Sequence, residues 1–137
     1  MSRIEDIIPR LGSGLDAAPI VDHIMAQPGV QKAPGPKLTL FTKRDFLPPD
    51  LCGTIIDRID VVRRPSTIAD SNGDSAYRTS ETGDLDPTDP AVIEVERRLA
   101  EFTGLSDEYG EPLQGQRYAV GQEFKGHTYY YEPDSLD

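Results

Sequence analysis

Among 137 residues there is one cysteine, Cys52, so no internal disulfide can form. A lone cysteine reads either as a small buried apolar side chain or as a reactive thiol, and nothing about it suggests an oxidising compartment. Basic residues are scarce: 14 Lys and Arg stand against 24 Asp and Glu, a formal net charge of -10. That excess repels a phosphate backbone. The pairs Arg63-Arg64 and Arg97-Arg98 are isolated, so no nucleic-acid partner is expected. No apolar run approaches the roughly 20 residues that span a bilayer, and Met1-Ser2-Arg3-Ile4-Glu5-Asp6 lacks an apolar signal core. A cytoplasmic protein without a membrane partner is the expectation.

What is present fits one soluble domain with a modest core: 36% hydrophobic and 28% charged residues, with 12 Gly and 12 Pro to make turns frequent. Ile4, Ile7, Ile8 and Leu11 recur at helical spacing until Pro9 and Gly12-Ser13-Gly14 break the run. A short helix is expected over 15–25, and the Pro/Gly-rich stretch 27–36 reads as a loop or linker. The chain therefore divides into a helical segment with its linker, 1–36, and a main unit, 37–137. In the main unit Leu38, Leu40 and Phe41 suggest a strand. Phe46-Leu47-Pro48-Pro49-Asp50 opens a helix striped by Leu51, Ile55, Ile59 and Val62. Residues 63–90 are polar and turn-rich, with Asn72-Gly73 the strongest turn signal.

The firmest element runs from about Asp89 to Phe102. Asp89 or Thr88 caps it, Pro90 fits its first turn, Gly104 ends it, and Val92, Val95, Leu99 and Phe102 form its buried stripe. A strand over 116–120, a turn at Gly121-Gln122 and a second strand over 124–131 follow. Helices followed by strands make the fold class α+β.

His127 falls in that last strand. Position 129 shares its face, because side chains alternate. A His-x-Asp pair so placed supplies two ligands to one point and, with a distant His, completes the two-His-one-carboxylate face of non-haem iron(II). A histidine among tyrosines also has a plain structural reading.

The string Glu111-Pro112-Leu113-Gln114, Arg117-Tyr118, Gly121-Gln122, Phe124 and His127-Thr128-Tyr129-Tyr130-Tyr131 resembles a signature of prolyl 4-hydroxylase-like iron(II)/2-oxoglutarate dioxygenases. Arg78-Thr79-Ser80, the 89–102 helix with Thr103-Gly104-Leu105, and Phe46-Leu47-Pro48-Pro49-Asp50-Leu51-Cys52 are similar to other parts of that family's pattern. The resemblance covers about 38–133. It implies the first strands of a double-stranded β-helix, or jelly roll, and hydroxylation coupled to oxidative decarboxylation of 2-oxoglutarate, with iron(II) and ascorbate. It implies a peptide or small-molecule substrate. His127 is then the first iron ligand and Tyr118 a 2-oxoglutarate contact, while Arg78, Thr79 and Ser80 lie near the substrate. Without the resemblance, Tyr118 reads as a packed strand aromatic and Arg78 as a solvated charge.

Two departures bear on activity. Tyr129 stands at the carboxylate position, and a phenol with a reference pKa near about 10 is a poor anionic ligand at neutral pH. Only ten residues follow His127 and none is His, Lys or Arg, whereas the family places its second His and a co-substrate-pairing base further on. His23, the other histidine, reads as an ordinary partly exposed residue of a helix. The chain alone is expected to be inactive, with a non-catalytic peptide-binding or regulatory remnant as the alternative. An incomplete roll should also leave an open sheet with Tyr118, Val120, Phe124, Tyr129 and Tyr131 uncovered. Self-association or a complementary chain would follow.

Overall fold

The computed structural model describes residues 17–66 and 78–127. The Ile4–Leu11 recurrence, the Asn72-Gly73 turn and Tyr129 to Tyr131 lie outside them. Within them the chain forms three helices and two small antiparallel sheets, an α+β arrangement.

Helix α1, Ala18–Met25, buries Ile24 and lies against α3, Pro90–Thr103. Two side chains of the α1 region reach carbonyls at the end of α3, where no intrahelical donor remains. His23 Nε2 is 2.9 Å from the Glu101 oxygen, and Gln27 Nε2 donates to the Phe102 oxygen at 2.6 Å. Helix α3 forms as its sequence predicts. The Asp89 carboxylate accepts from the Ala91 N–H at 2.9 Å, Pro90 occupies the first turn, and Gly104 closes the helix at φ 72. Val92 and Val95 are buried, whereas Leu99, expected in the same stripe, is 38% exposed.

The stretch 27–36, expected as a loop, contains strand β1, Val30–Lys32, which pairs with β2, Phe41–Lys43. Val30-Gln31-Lys32 is the part of that stretch free of Pro and Gly, so its N–H groups can join a ladder. Leu38 and Leu40 are not in a strand and are exposed. After β2, Phe46 meets Phe102 edge-on at 5.3 Å, with the Lys43 ammonium within 6 Å of both rings (5.9 and 5.6 Å).

Helix α2, Pro49–Val62, starts as expected, with Pro48 extended before it and Pro49 in its first turn. None of its residues is fully buried; Leu51, Ile55 and Ile59 are half-covered. It lies on a three-stranded sheet of β3, Arg64–Pro65, β4, Glu81–Asp84, and β5, Gln114–Arg117. Close approach is possible because Gly83 and Gly115 are cross-strand partners beneath the helix. A Cβ on Gly83 would lie 2.9 Å from Val62 Cγ2, and one on Gly115 would overlap Ile59 Cγ1 and Cδ1.

Strand β4 sits where the sequence promised only turns. Glu-Thr-Gly-Asp has no apolar alternation, and its pairing partners are β3, upstream across the turn-rich stretch, and β5, some thirty residues downstream. Strand β5 ends earlier than the expected 116–120 element: a tight turn, with Gln122 N–H donating to the Ala119 oxygen at 2.9 Å, bends the chain away. Beyond it, Phe124 makes one antiparallel bridge to Arg78 rather than a continuous strand within the described residues.

The uncovered apolar face was expected to carry Tyr118, Val120, Phe124, Tyr129 and Tyr131; the last two lie outside the described residues, and Phe124 is half-buried. The face of the β3–β4–β5 sheet turned away from α2 is polar. Alternation puts Arg64, Thr82, Asp84, Gln114 and Gln116 there, and Asp84 accepts from both Arg64, at 2.5 Å, and Gln114, at 2.8 Å. On the α2 side Glu81 Oε2 accepts from Arg63 at 2.9 Å and Arg117 at 3.1 Å. Tyr118 and Val120 are exposed, but past the end of β5. Among the described residues no helix is long and apolar enough to cross a membrane.

Candidate functional site

The sheet brings together two serines that are 14 residues apart in sequence. Ser66 follows β3 and Ser80 precedes β4, so pairing of these strands sets them side by side; Ser66 N–H donates to the Ser80 oxygen at 3.0 Å. Their hydroxyls and that of Thr82 form a cluster, with Ser66 Oγ 3.0 Å from Ser80 Oγ and 2.5 Å from Thr82 Oγ1. Ser80 and Thr82 are 2% and 5% exposed, so in this poorly solvated place each hydroxyl needs its partner. Arg78 donates to the same cluster, Nε to Ser80 Oγ at 3.3 Å and Nη2 to Thr82 Oγ1 at 3.4 Å.

Residues 78–79 receive the chain returning after β5. Thr79 N–H donates to the Glu123 oxygen at 2.9 Å, and the Glu123 N–H donates to Thr79 Oγ1 at 2.9 Å. Next to this pair the Arg78 guanidinium lies over the Phe124 ring, 4.4 Å from its centroid. Phe124 in turn stacks with His127 at 3.6 Å between centroids, the rings 15° apart. His127 Nδ1 is 2.8 Å from the Lys125 carbonyl. A hydrogen on Nδ1 makes that contact a hydrogen bond, and in the neutral ring the lone pair then resides on Nε2.

Thus Arg78, Thr79, Ser80 and His127, singled out from the sequence, occupy one neighbourhood. Ser66, Thr82, Glu123 and Phe124 complete it without having been expected there. Thr82 could have been found, since it stands two residues after Ser80 and shares its strand face. Ser66 could not, because only strand register places it. Tyr118 is elsewhere along the chain's path, before the 119–122 turn, 46% exposed, with its hydroxyl donating to Gln116 Oε1 at 3.1 Å. Tyr129 lies outside the described residues. His23 is held at the α1–α3 contact, its ring against Gly104.

A non-haem iron(II) site of this kind requires two His and one carboxylate. Among the described residues no three His, Cys, Asp or Glu side chains converge. A two-His face would need both histidines of the sequence, and His23 is engaged by Glu101. The described residues do not by themselves fit a three-donor iron site. A separate groove of about 350 Å3, between α3 and residues 105–113, is lined by Leu99, Leu105, Tyr109 and Leu113 with Glu96 and Asp107; none of Arg78, Tyr118 and His127 lines it.

Over 92 residues, 64% of this chain, the sequence is 32% identical to probable prolyl 4-hydroxylase 10 of Arabidopsis thaliana. The aligned part is 32% of that protein, so the chain spans about a third of its length. The likeness supports a distant relationship to the prolyl 4-hydroxylases. No family model and no solved structure matches the chain.

Proposed function

We propose that this chain is the front portion of a prolyl 4-hydroxylase-like iron(II)/2-oxoglutarate dioxygenase domain, its strands belonging to a jelly roll completed by further polypeptide. In this reading His127 supplies one iron ligand, Tyr118 contacts 2-oxoglutarate, and Arg78, Thr79 and Ser80 lie beside a peptide or small-molecule substrate. Ascorbate serves as the reductant that the family's chemistry uses. One observation carries the reading: the Arg78-Thr79-Ser80 segment is hydrogen-bonded to the segment bearing His127. Two separately recognised motifs are thereby neighbours in space. The partial likeness to a plant prolyl 4-hydroxylase adds to it.

The chain by itself does not turn over, since Tyr129 offers a phenol where a carboxylate is needed and His23 is committed to α3. A complementary chain, or self-association through Tyr118 and Val120, would supply what is missing. Those same two facts favour a second reading, a peptide-binding remnant without catalysis.

Succinate formation from 2-oxoglutarate with iron(II) and ascorbate tests the proposal. No succinate is expected from the chain or from Tyr129→Asp, because one carboxylate does not replace the second His. Broadening of the His127 ring signals by manganese(II) is expected for a weak residual site. Succinate produced by the chain alone would overturn the incomplete-site reading. No manganese effect at His127 would overturn its role as a ligand.

A further inference from the structure

The groove between α3 and residues 105–113 has no part in the neighbourhood of His127. Its α3 wall is Glu96, Leu99, Ala100 and Thr103, the spacing of one helix face. The opposite wall is tied down at two places. The Gly110 N–H donates to the Asp107 oxygen at 2.9 Å, and the Leu113 oxygen accepts from the Leu85 N–H at 3.2 Å. The Thr103 hydroxyl is already satisfied: it donates to the Leu99 oxygen at 2.8 Å and accepts from the Leu105 N–H at 3.2 Å. What the groove offers inside is therefore apolar, chiefly Leu99, Leu105, Tyr109 and Leu113. Leu99 belongs to the stripe expected to be buried, yet the described residues leave it 38% exposed.

The rim carries one sign of charge. Glu96 stands on the α3 side and Asp107 on the short 3-10 turn Asp107–Tyr109. Among the described residues no Lys, Arg or His lines the groove. The arginines of α3 are used elsewhere, Arg97 on Glu94 and Glu101 and Arg98 on Glu94, so Glu96 has no cation among the described residues. Asp107 has the Ser106 hydroxyl at 3.5 Å and no cation. An apolar floor between two such carboxylates is complementary to an apolar group flanked by positive charge. Pro87, Tyr109 and Pro112 are exposed, so the groove is an open trough. Small-molecule sites bury most of their ligand. An open trough of about 350 Å3 instead suits a few side chains of a peptide that runs on past it.

We propose that this trough docks a peptide segment of a partner protein in which an aliphatic residue is flanked by lysine or arginine. The aliphatic side chain lies against Leu99, Leu105 and Leu113, and the cations face Glu96 and Asp107. Burial of the aliphatic group supplies most of the affinity, while the exposed carboxylates supply selectivity and salt dependence. The inference is independent of whether His127 holds iron.

The test is an NMR titration of the whole chain that follows the Leu99, Leu105 and Leu113 methyls and the Tyr109 ring. The probe is the capped peptide acetyl-Gly-Lys-Leu-Lys-Gly-amide. It should move these signals saturably at low salt, and sodium chloride should weaken it. The same peptide with Glu for Lys should not bind. Glu96→Gln and Asp107→Asn should each weaken binding about two- to fivefold. Glu108→Gln, beside the rim but outside the trough, should leave it unchanged. Leu99→Gln should weaken it about tenfold or more. Exchange protection of the buried Val92 amide checks that each variant is folded. The charge-reversed peptide needs no variant and decides the matter should one of them lose that protection. Absence of saturable shifts overturns the proposal, as do equal shifts from the Glu peptide. Equal weakening by Glu108→Gln also overturns it, since net charge alone would then account for binding. Hexylamine binding as tightly as the peptide would assign the trough to a small molecule. Signals that move with protein concentration alone would assign it to a second copy, and signals moved by Ile8→Ser without peptide to the chain's own first residues. Each of these three results also overturns the proposal.

Discussion

Replacing Gly115 by alanine should destabilise the protein through one identifiable contact. The residue is buried, faces α2 and pairs across the strands with Gly83. Its new methyl would overlap Ile59 Cγ1 and Cδ1 and come within 3.2 Å of Ile59 Cβ. The two outer atoms can swing away by a rotamer change, but the Cβ cannot move without the helix. Overpacking of this kind costs about 1–3 kcal/mol. Alanine regains roughly 0.5–1 kcal/mol of backbone entropy relative to glycine in a strand. The net loss is therefore on the order of 1–2 kcal/mol, a considerable share of the roughly 5–15 kcal/mol that holds a domain together. The buried apolar side chains among the described residues are few, Ile24, Leu85, Val92 and Val95, so little reserve is available to absorb it. Urea unfolding followed by far-UV circular dichroism gives the difference, and a double-mutant cycle gives its cause. In an Ile59→Ala background the overlap with Cγ1 and Cδ1 is gone and only the 3.2 Å approach to Cβ remains, so Gly115→Ala should cost clearly less. An alanine variant as stable as the wild type, or one whose cost persists in full in the Ile59→Ala background, would refute the account of α2 lying directly on the two glycines.

Two further outcomes follow from α3. The Glu94 carboxylate is held well below its ordinary value near 4.5, at about 2, first by the hydrogen bond from Arg97 and then by that from Arg98. Asp89 is lowered in the same direction by Arg58 and then by the Ala91 N–H, and Asp86 by the Thr88 N–H and hydroxyl. A carboxylate whose folded pKa is depressed contributes stability that is complete above its unfolded value and is lost as pH falls through the folded one. Melting temperature should therefore drop as pH is lowered from about 4.5 towards 2. Glu94→Gln should flatten part of that fall; an acid limb identical to the wild type would show the ion pairs to be idle. Gly104→Ala forces an L-residue to φ 72 at the end of α3 and brings its methyl to 3.0 Å from the His23 ring. A loss of about 1–2 kcal/mol is expected in urea unfolding, with His23 displaced from the Glu101 carbonyl, visible as a change in its ring signals.

What the amino-acid order determined is mostly local. Asp89, Pro90 and Gly104 state where α3 begins and ends, because capping and left-handed geometry are properties of single residues and their immediate neighbours. The two prolines before Asp50 do the same for α2. The mixed helix and strand class was legible for that reason; Arg78, Thr79, Ser80, Tyr118 and His127 were singled out instead through a family resemblance. Tertiary structure decided what those residues touch. Strand β4 has no hydrophobic rhythm, and its existence depends on β5 and on a helix resting on paired glycines. Ser66 joins Ser80 and Thr82 in the candidate site only because the β3–β4 register puts their hydroxyls together. Phe124 meets Arg78 only once the chain has turned back after β5. Such relations depend on contacts between residues far apart in sequence, and hydrophobic periodicity, which reports a residue's neighbours along the chain, carries no record of them.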